Sequence, residues 1–206
     1  VLVQKRFFLE TGGFDEYYFH SVEEMDLGWR AWLMGYEVRY VPTAVMYHHM
    51  GGTALDGRGM TPTILFLVLR NSLYFIVKNF EGWTAFRGMG LFFLKTLYTL
   101  GYTLRTRNKP AFKAVWKALG CFLKDHGKAF RARELTQKKR KVKDGELQRR
   151  GVLAGACEVV RATFTGLSAQ QKYAAHGLYD TKDTMNIHMN SQGDPVFYQE
   201  PSTEFF

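Results

Sequence analysis

The sequence predicts an α/β segment at its start, followed by amphipathic α-helices, and three patterns lead to that expectation. Residues 22–34 place Val22, Met25, Trp29, Trp32 and Leu33 on one stripe, the spacing of a half-covered helix. Residues 36–41, Tyr-Glu-Val-Arg-Tyr-Val, alternate as a strand does and stop at Pro42. From Thr61 onward the composition turns apolar and then basic, with helical periodicity.

Taken in order, an opening helical segment ends at Gly12-Gly13, a pair that turns the chain. The aromatic run Phe14 to His20 follows, and Tyr17, Tyr18 and Phe19 read as core. Ser21, three residues ahead of Glu24, matches a capping box, in which the hydroxyl serves the first-turn amides and the carboxylate reaches back. Gly35 is placed to end that helix. After the strand come Ala44 to Tyr47 and then a glycine-rich loop, residues 48–53, with two adjacent histidines.

Composition divides the chain into an α/β-like zone at 1–60, an apolar then basic helical zone at 61–150, and a polar tail at 151–206 without sustained periodicity. With 206 residues and 46% hydrophobic content the chain can bury a core. Cys121 and Cys157 lie far apart in unlike surroundings, which fits neither a disulfide framework nor a zinc site and suits a reducing, cytoplasmic setting. The chain opens on Val1 without the basic, apolar and small-residue succession of a signal peptide, as a sequence entered in mid-protein would.

The charge is concentrated. Residues 105–150 hold 16 Lys and Arg against four Asp and Glu, a net of +12, in a chain whose total is +9. The apolar zone is interrupted at Arg70, Lys78, Arg87 and Lys95, so no run reaches the roughly 18 uncharged apolar residues of a spanning helix. Lys113, Lys117, Lys124 and Lys128 line one side of 111–130, with Phe112, Val115, Trp116, Leu119, Phe122 and Leu123 on the other. These patterns predict helices lying at the headgroup boundary of an anionic membrane surface, peripheral and on its cytoplasmic face. The alternative is that 61–104 packs its apolar side on the preceding domain. No base-reading motif accompanies the positive charge, and nucleic acid is not an expected partner.

Glu23, Asp26 and Arg30 stand at i−3, i and i+4 along the 22–34 helix and can form a charged row. Asp26 falls close to the apolar stripe, and a buried carboxylate needs a partner, for which Arg30 is nearest.

The pieces Gly12-Gly13-Phe14-Asp15-Glu16, then Glu23-Glu24-Met25-Asp26-Leu27 with Arg30, Gly35-Tyr36, Val41-Pro42, and His48 with Gly51 occur in that order. Together they resemble the carboxy-terminal motifs of inverting family-2 glycosyltransferases of the GT-A fold, rhamnosyltransferase-like members above all. The resemblance covers roughly the first 80 residues, through Arg70-Asn71 at the start of the next helical run. It implies the carboxy-terminal part of a GT-A, Rossmann-like domain. It also implies a nucleotide-sugar donor and a saccharide or lipid-linked acceptor. A carboxylate at Glu24, where the family has Asp, would act as general base, with Glu23 able to share the role. Gly12, Gly13 and Asp15 would border the acceptor, although Asp15 and Glu16 could equally open a turn and face water. His48 would touch a divalent cation, Mn or Mg, or the diphosphate, or else only bond the backbone. The main cation ligands, an Asp-x-Asp, are expected in an amino-terminal half, since the chain contains no such motif and no glycine-rich phosphate loop. The competing reading is a non-catalytic membrane-binding or scaffold protein that retains a degenerate transferase remnant.

Overall fold

The computed structural model describes residues 2–39 and 61–155, all within one compact unit that spans Val1–Val160. Among them are six α-helices: α1 (Lys5–Thr11), α2 (Glu23–Leu33), α3 (Pro62–Asn79), α4 (Gly82–Arg105), α5 (Lys109–Lys139) and α6 (Asp144–Arg149). No strand occurs among the described residues, and the α/β, GT-A expectation is overturned for them.

The reason is visible after α2. Gly35 adopts the left-handed conformation (φ +84°), and the Tyr36 amide donates back to the Ala31 carbonyl at 2.9 Å, which closes the helix. Residues 36–39 then carry no ladder hydrogen bonds, and Val38 is exposed. Alternation alone cannot hold a strand without a neighbour to pair with. The remainder of that predicted strand, the loop with His48 and His49, and all but the first five residues of the polar tail lie outside the described residues.

The capping box does not form either. Residue Val22, not Ser21, occupies the N-cap, with φ +77° and no side-chain cap, and Ser21 itself sits at φ +69°. A capping serine needs extended backbone to aim its hydroxyl at the first-turn amides, which this left-handed turn denies it. Gly12, by contrast, ends α1 in the left-handed conformation expected of its position.

The core is the seam between α3 and α5. Leu69 and Leu73 of α3 meet Val115 and Ala118 of α5, with Phe92 of α4 closing the group. Ala111, Ala114 and Ala118 are buried along α5 and leave room for the larger α3 side chains. Pro62 starts α3 behind Thr61, and Pro110 sits in the first turn of α5 behind Asn108, whose side chain accepts from the Ala111 amide at 3.0 Å.

The carboxyl end of α3 is buried, so its last carbonyls need partners that water cannot supply. Helix α5 provides them. Arg133 donates to the Val77 and Phe80 carbonyls at 2.6 Å each, Gln137 to Lys78 and Asn79 at 3.1 and 3.2 Å, and Arg140 to Asn79. Cations there also complement the negative end of the helix dipole. Below them, Glu81 and Asp144 exchange backbone-to-carboxylate bonds of 2.6 and 2.7 Å, and Asp144 pairs with Arg140 at 2.8 Å. Part of the basic segment is therefore internal scaffolding.

Replacing Arg133 by Met keeps the length of the side chain but leaves two buried carbonyls short of a charged donor. Urea unfolding followed by circular dichroism is expected to show a loss of about 2–3 kcal/mol. A loss below about 0.5 kcal/mol would mean that Gln137 and Arg140 suffice.

Candidate functional site

Helix α2 is held by a buried charge. Asp26 is fully buried, and both of its oxygens are engaged. Oδ1 accepts from the Tyr18 hydroxyl at 2.9 Å and the Asn79 amide at 2.8 Å, and Oδ2 accepts from Arg30 Nε at 2.7 Å and Lys78 Nζ at 2.9 Å. Arg30 continues to the carbonyls of Thr11 and Gly13, at 3.1 and 2.7 Å, so one guanidinium joins α2 to the end of α1 and the glycine turn. Lys78 also reaches Asp15 at 2.7 Å.

Asp15 is the second acid of this network. Its Oδ1 accepts from the Tyr17 amide at 3.0 Å and its Oδ2 from the Tyr74 hydroxyl at 3.0 Å, besides Lys78. Burial alone would raise its carboxyl, but the Lys78 bond and charge, with the two further donors, hold it below the ordinary value. Burial beside these carboxylates pushes the Tyr18 and Tyr74 hydroxyls up, so both remain donors at neutral pH.

The chain between Asp15 and α2 is strained. Phe19, Ser21 and Val22 all have positive φ, of 59°, 69° and 77°, a region that costs a β-branched residue most. Two adjacent residues of α3 hold it there. The Asn71 amide nitrogen lies 2.8–2.9 Å from the carbonyls of Tyr18, His20 and Ser21. Arg70 donates to the Tyr17 and Tyr18 carbonyls and fixes Asn71 through its amide oxygen at 2.8 and 3.0 Å. Its guanidinium also lies over the Tyr17 ring.

The loop delivers the chain to the amino terminus of α2, where Glu23 and Glu24 stand side by side. Glu24 is exposed. Glu23 is half-buried, and one of its carboxylate oxygens is buried without a hydrogen-bond partner, a costly arrangement for an acceptor of that strength. Both carboxylates gain from the positive end of the helix dipole. Asp26 has no free oxygen left and serves to position the helix.

Gly12, Gly13 and Asp15 come together elsewhere, on a cleft of about 270 Å³ between the glycine turn, α2, α3 and α5. Phe14, Met34 and Leu135 give it an apolar wall, and Lys139 stands in its lining. Glu23 and Glu24 do not line this cleft. Nor do three His, Cys, Asp or Glu side chains converge anywhere among the described residues, so these residues do not form a cation site by themselves. His48 lies outside them.

Tyr18, Asn71, Lys78 and Asn79 are the positioning residues that sequence reasoning passed over. A signal for Lys78 was present: a lysine inside a densely apolar helical run requires a buried carboxylate. Arg70 and Lys78, expected to interrupt a helix lying at the headgroup boundary, instead both turn inward onto residues 15–26.

Removing Asp26 by substitution with Ala leaves Lys78 and Arg30 facing each other without their shared anion. The expected loss is about 3–5 kcal/mol in urea unfolding. Asp15 generates a pH prediction. Its carboxyl is lowered in the folded state, so its contribution is complete above the unfolded value of about 3.8 and fades as pH falls through the lower folded value. Asp15→Asn should therefore flatten the decline in stability below that pH. An acid profile identical to that of the unsubstituted chain would remove Asp15 as a contributor.

The comparisons with known proteins come down on one class. No protein-family model matches the chain, and no solved structure does. Two curated relatives match, each named N-acetylglucosaminyl-diphospho-decaprenol L-rhamnosyltransferase, from the CDC 1551 / Oshkosh and the ATCC 25618 / H37Rv strains of Mycobacterium tuberculosis. Identity to each is 34% over 84 residues, 40% of this chain. The chain spans about a quarter (26%) of the length of these relatives, and across that portion it is similar to a glycosyltransferase.

Proposed function

We propose that this chain is the acceptor-side portion of an inverting, family-2-type glycosyltransferase that moves a sugar from a nucleotide-diphosphate donor to a lipid-linked or polysaccharide acceptor. The observation that carries this reading is the adjacent carboxylates of exposed Glu24 and half-buried Glu23 at the head of α2, one turn ahead of the buried Asp26–Arg30–Lys78 network. A general base must be accessible to the acceptor hydroxyl, and Glu24 is exposed at the amino end of α2, where the helix dipole favours a carboxylate. The partial similarity to rhamnosyltransferases supports the same reaction class.

In the proposed step the Glu24 carboxylate takes the proton of an acceptor hydroxyl as its oxygen attacks the anomeric carbon. The bond from that carbon to the diphosphate oxygen breaks on the opposite face, and the nucleoside diphosphate leaves with the electron pair. Configuration inverts. Glu23, with its unpartnered oxygen, orients the acceptor or shares the proton. The described residues offer no cation cluster, so no part of this step is assigned to a metal. A divalent cation on the diphosphate would take its ligands from outside them, His48 included. Strain in residues 19–22 fits a site where geometry has been fixed against local preference.

The scaffold alternative predicts that neither carboxylate matters to turnover. In the full-length protein, assayed with nucleotide-sugar donors and a lipid-linked acceptor, Glu24→Gln is expected to lower kcat by about 100-fold or more. Its stability should change little, because Glu24 caps nothing. Glu23→Gln should cost less in kcat and show part of its effect in KM. Unchanged turnover in both variants would sink the proposed base.

A further inference from the structure

Helix α4 is the least covered of the long helices. Of its 24 residues only Phe92, Thr96 and Thr103 are buried, and these three fall on one side. The opposite side is apolar and open. Trp83, Phe86, Phe93, Leu94, Leu97 and Leu104 are all exposed, Trp83 at 69% and Leu97 at 66%, and they recur at helical spacing with Gly90 and Gly101 between them. A helix of this length runs about 36 Å. An apolar stripe of that extent on a folded protein calls for a covering partner.

The charge identifies the partner. Residues 82–124 contain no Asp or Glu and eight Lys or Arg. Three of the eight, Arg87, Lys95 and Arg105, belong to α4, and Arg107 in the turn and Lys109 at the start of α5 follow at once. Lys113, Lys117 and Lys124 are exposed on α5, beside the exposed Trp116 and Leu123. Among the described residues none of these cations has a carboxylate partner, whereas Lys78 and Arg140, outside this stretch, pair with buried acids. No α4 window is apolar enough to cross a membrane. Tyr98 and Tyr102 are exposed next to the stripe, and rings with one polar end favour the headgroup level.

We propose that the outward face of α4 seats this protein on an anionic lipid bilayer, lying along the surface with Trp83, Phe86, Leu97 and Leu104 in the acyl boundary and the α4–α5 cations among the headgroups. The face assigned is α4 alone. Helix α3, although more apolar in sequence, spends its apolar side chains on the α3–α5 seam and its two cations on residues 15–26. This inference does not depend on the transferase reading, and its readout involves no turnover.

The test uses the 206-residue chain, phosphatidylcholine vesicles with and without 30 mol% phosphatidylglycerol as an order-of-magnitude anionic content, and co-sedimentation. Partitioning onto the anionic vesicles is expected to be at least about tenfold stronger than onto neutral ones and to weaken as salt screens the cations. Phe86→Ser with Leu97→Ser should abolish binding while leaving thermal unfolding unchanged, since both side chains are already in water. Lys95→Glu with Arg105→Glu should remove the preference for anionic lipid. Brominated acyl chains should quench Trp83 in a Trp116→Phe background. Undiminished binding by the Phe86/Leu97 variant would overturn the proposal. So would a lipid-free dimer that the same variant dissociates, because a second copy would then be what covers α4.

Discussion

Everything described at the amino-terminal side depends on one carboxylate. Asp26 sits where no water reaches it, and its charge is tolerable only because two cations and two neutral donors converge on its two oxygens. Those donors come from α2 itself, from the aromatic segment and from the last turn of α3. Arg30 and Lys78 each bind a second acceptor beyond Asp26, so the network ties α1, the glycine turn and Asp15 into the same unit. Four elements are thereby held in register, beside the apolar contacts of Phe7 with Leu27 and Ala31 and of Tyr18 with Tyr74.

The positive charge of the chain does two unlike jobs. Arg70, Lys78, Arg133 and Arg140 are spent on carbonyls and carboxylates within the fold. The cations from Arg87 to Lys124 have no such partners among the described residues and flank exposed aromatic and aliphatic side chains. Net charge by segment cannot separate these groups, because Arg133 and Lys124 lie nine residues apart on one helix.

How much of this was legible depended on whether the determinant was local. The end of α1 at Gly12, the position of α2 and the lysine row of α5 follow from spacing and turn chemistry, which short windows contain. The pairing of Asp26 with Arg30 is a contact between i and i+4 and needed no tertiary knowledge. The capping box at Ser21 failed for a tertiary reason: Asn71, fifty residues away, takes the Ser21 carbonyl and the loop turns left-handed. Residues 36–39 of the expected strand form none, because pairing is a property of two segments and a run of alternation contains only one. The division of labour between α3 and α4 was invisible to composition, since both are apolar runs broken by cations, and only packing tells which run is already covered.

The grip of Asn71 on three carbonyls of the loop backbone has a mechanical side. Residues 18–21 cannot shift relative to α3 without breaking several bonds together, and α2 is locked to the same helix through Lys78 and Asn79. The Glu23-Glu24 corner is therefore an anvil rather than a jaw. Any motion beside this corner has to be carried by another part of the protein, moving against a surface that stays still.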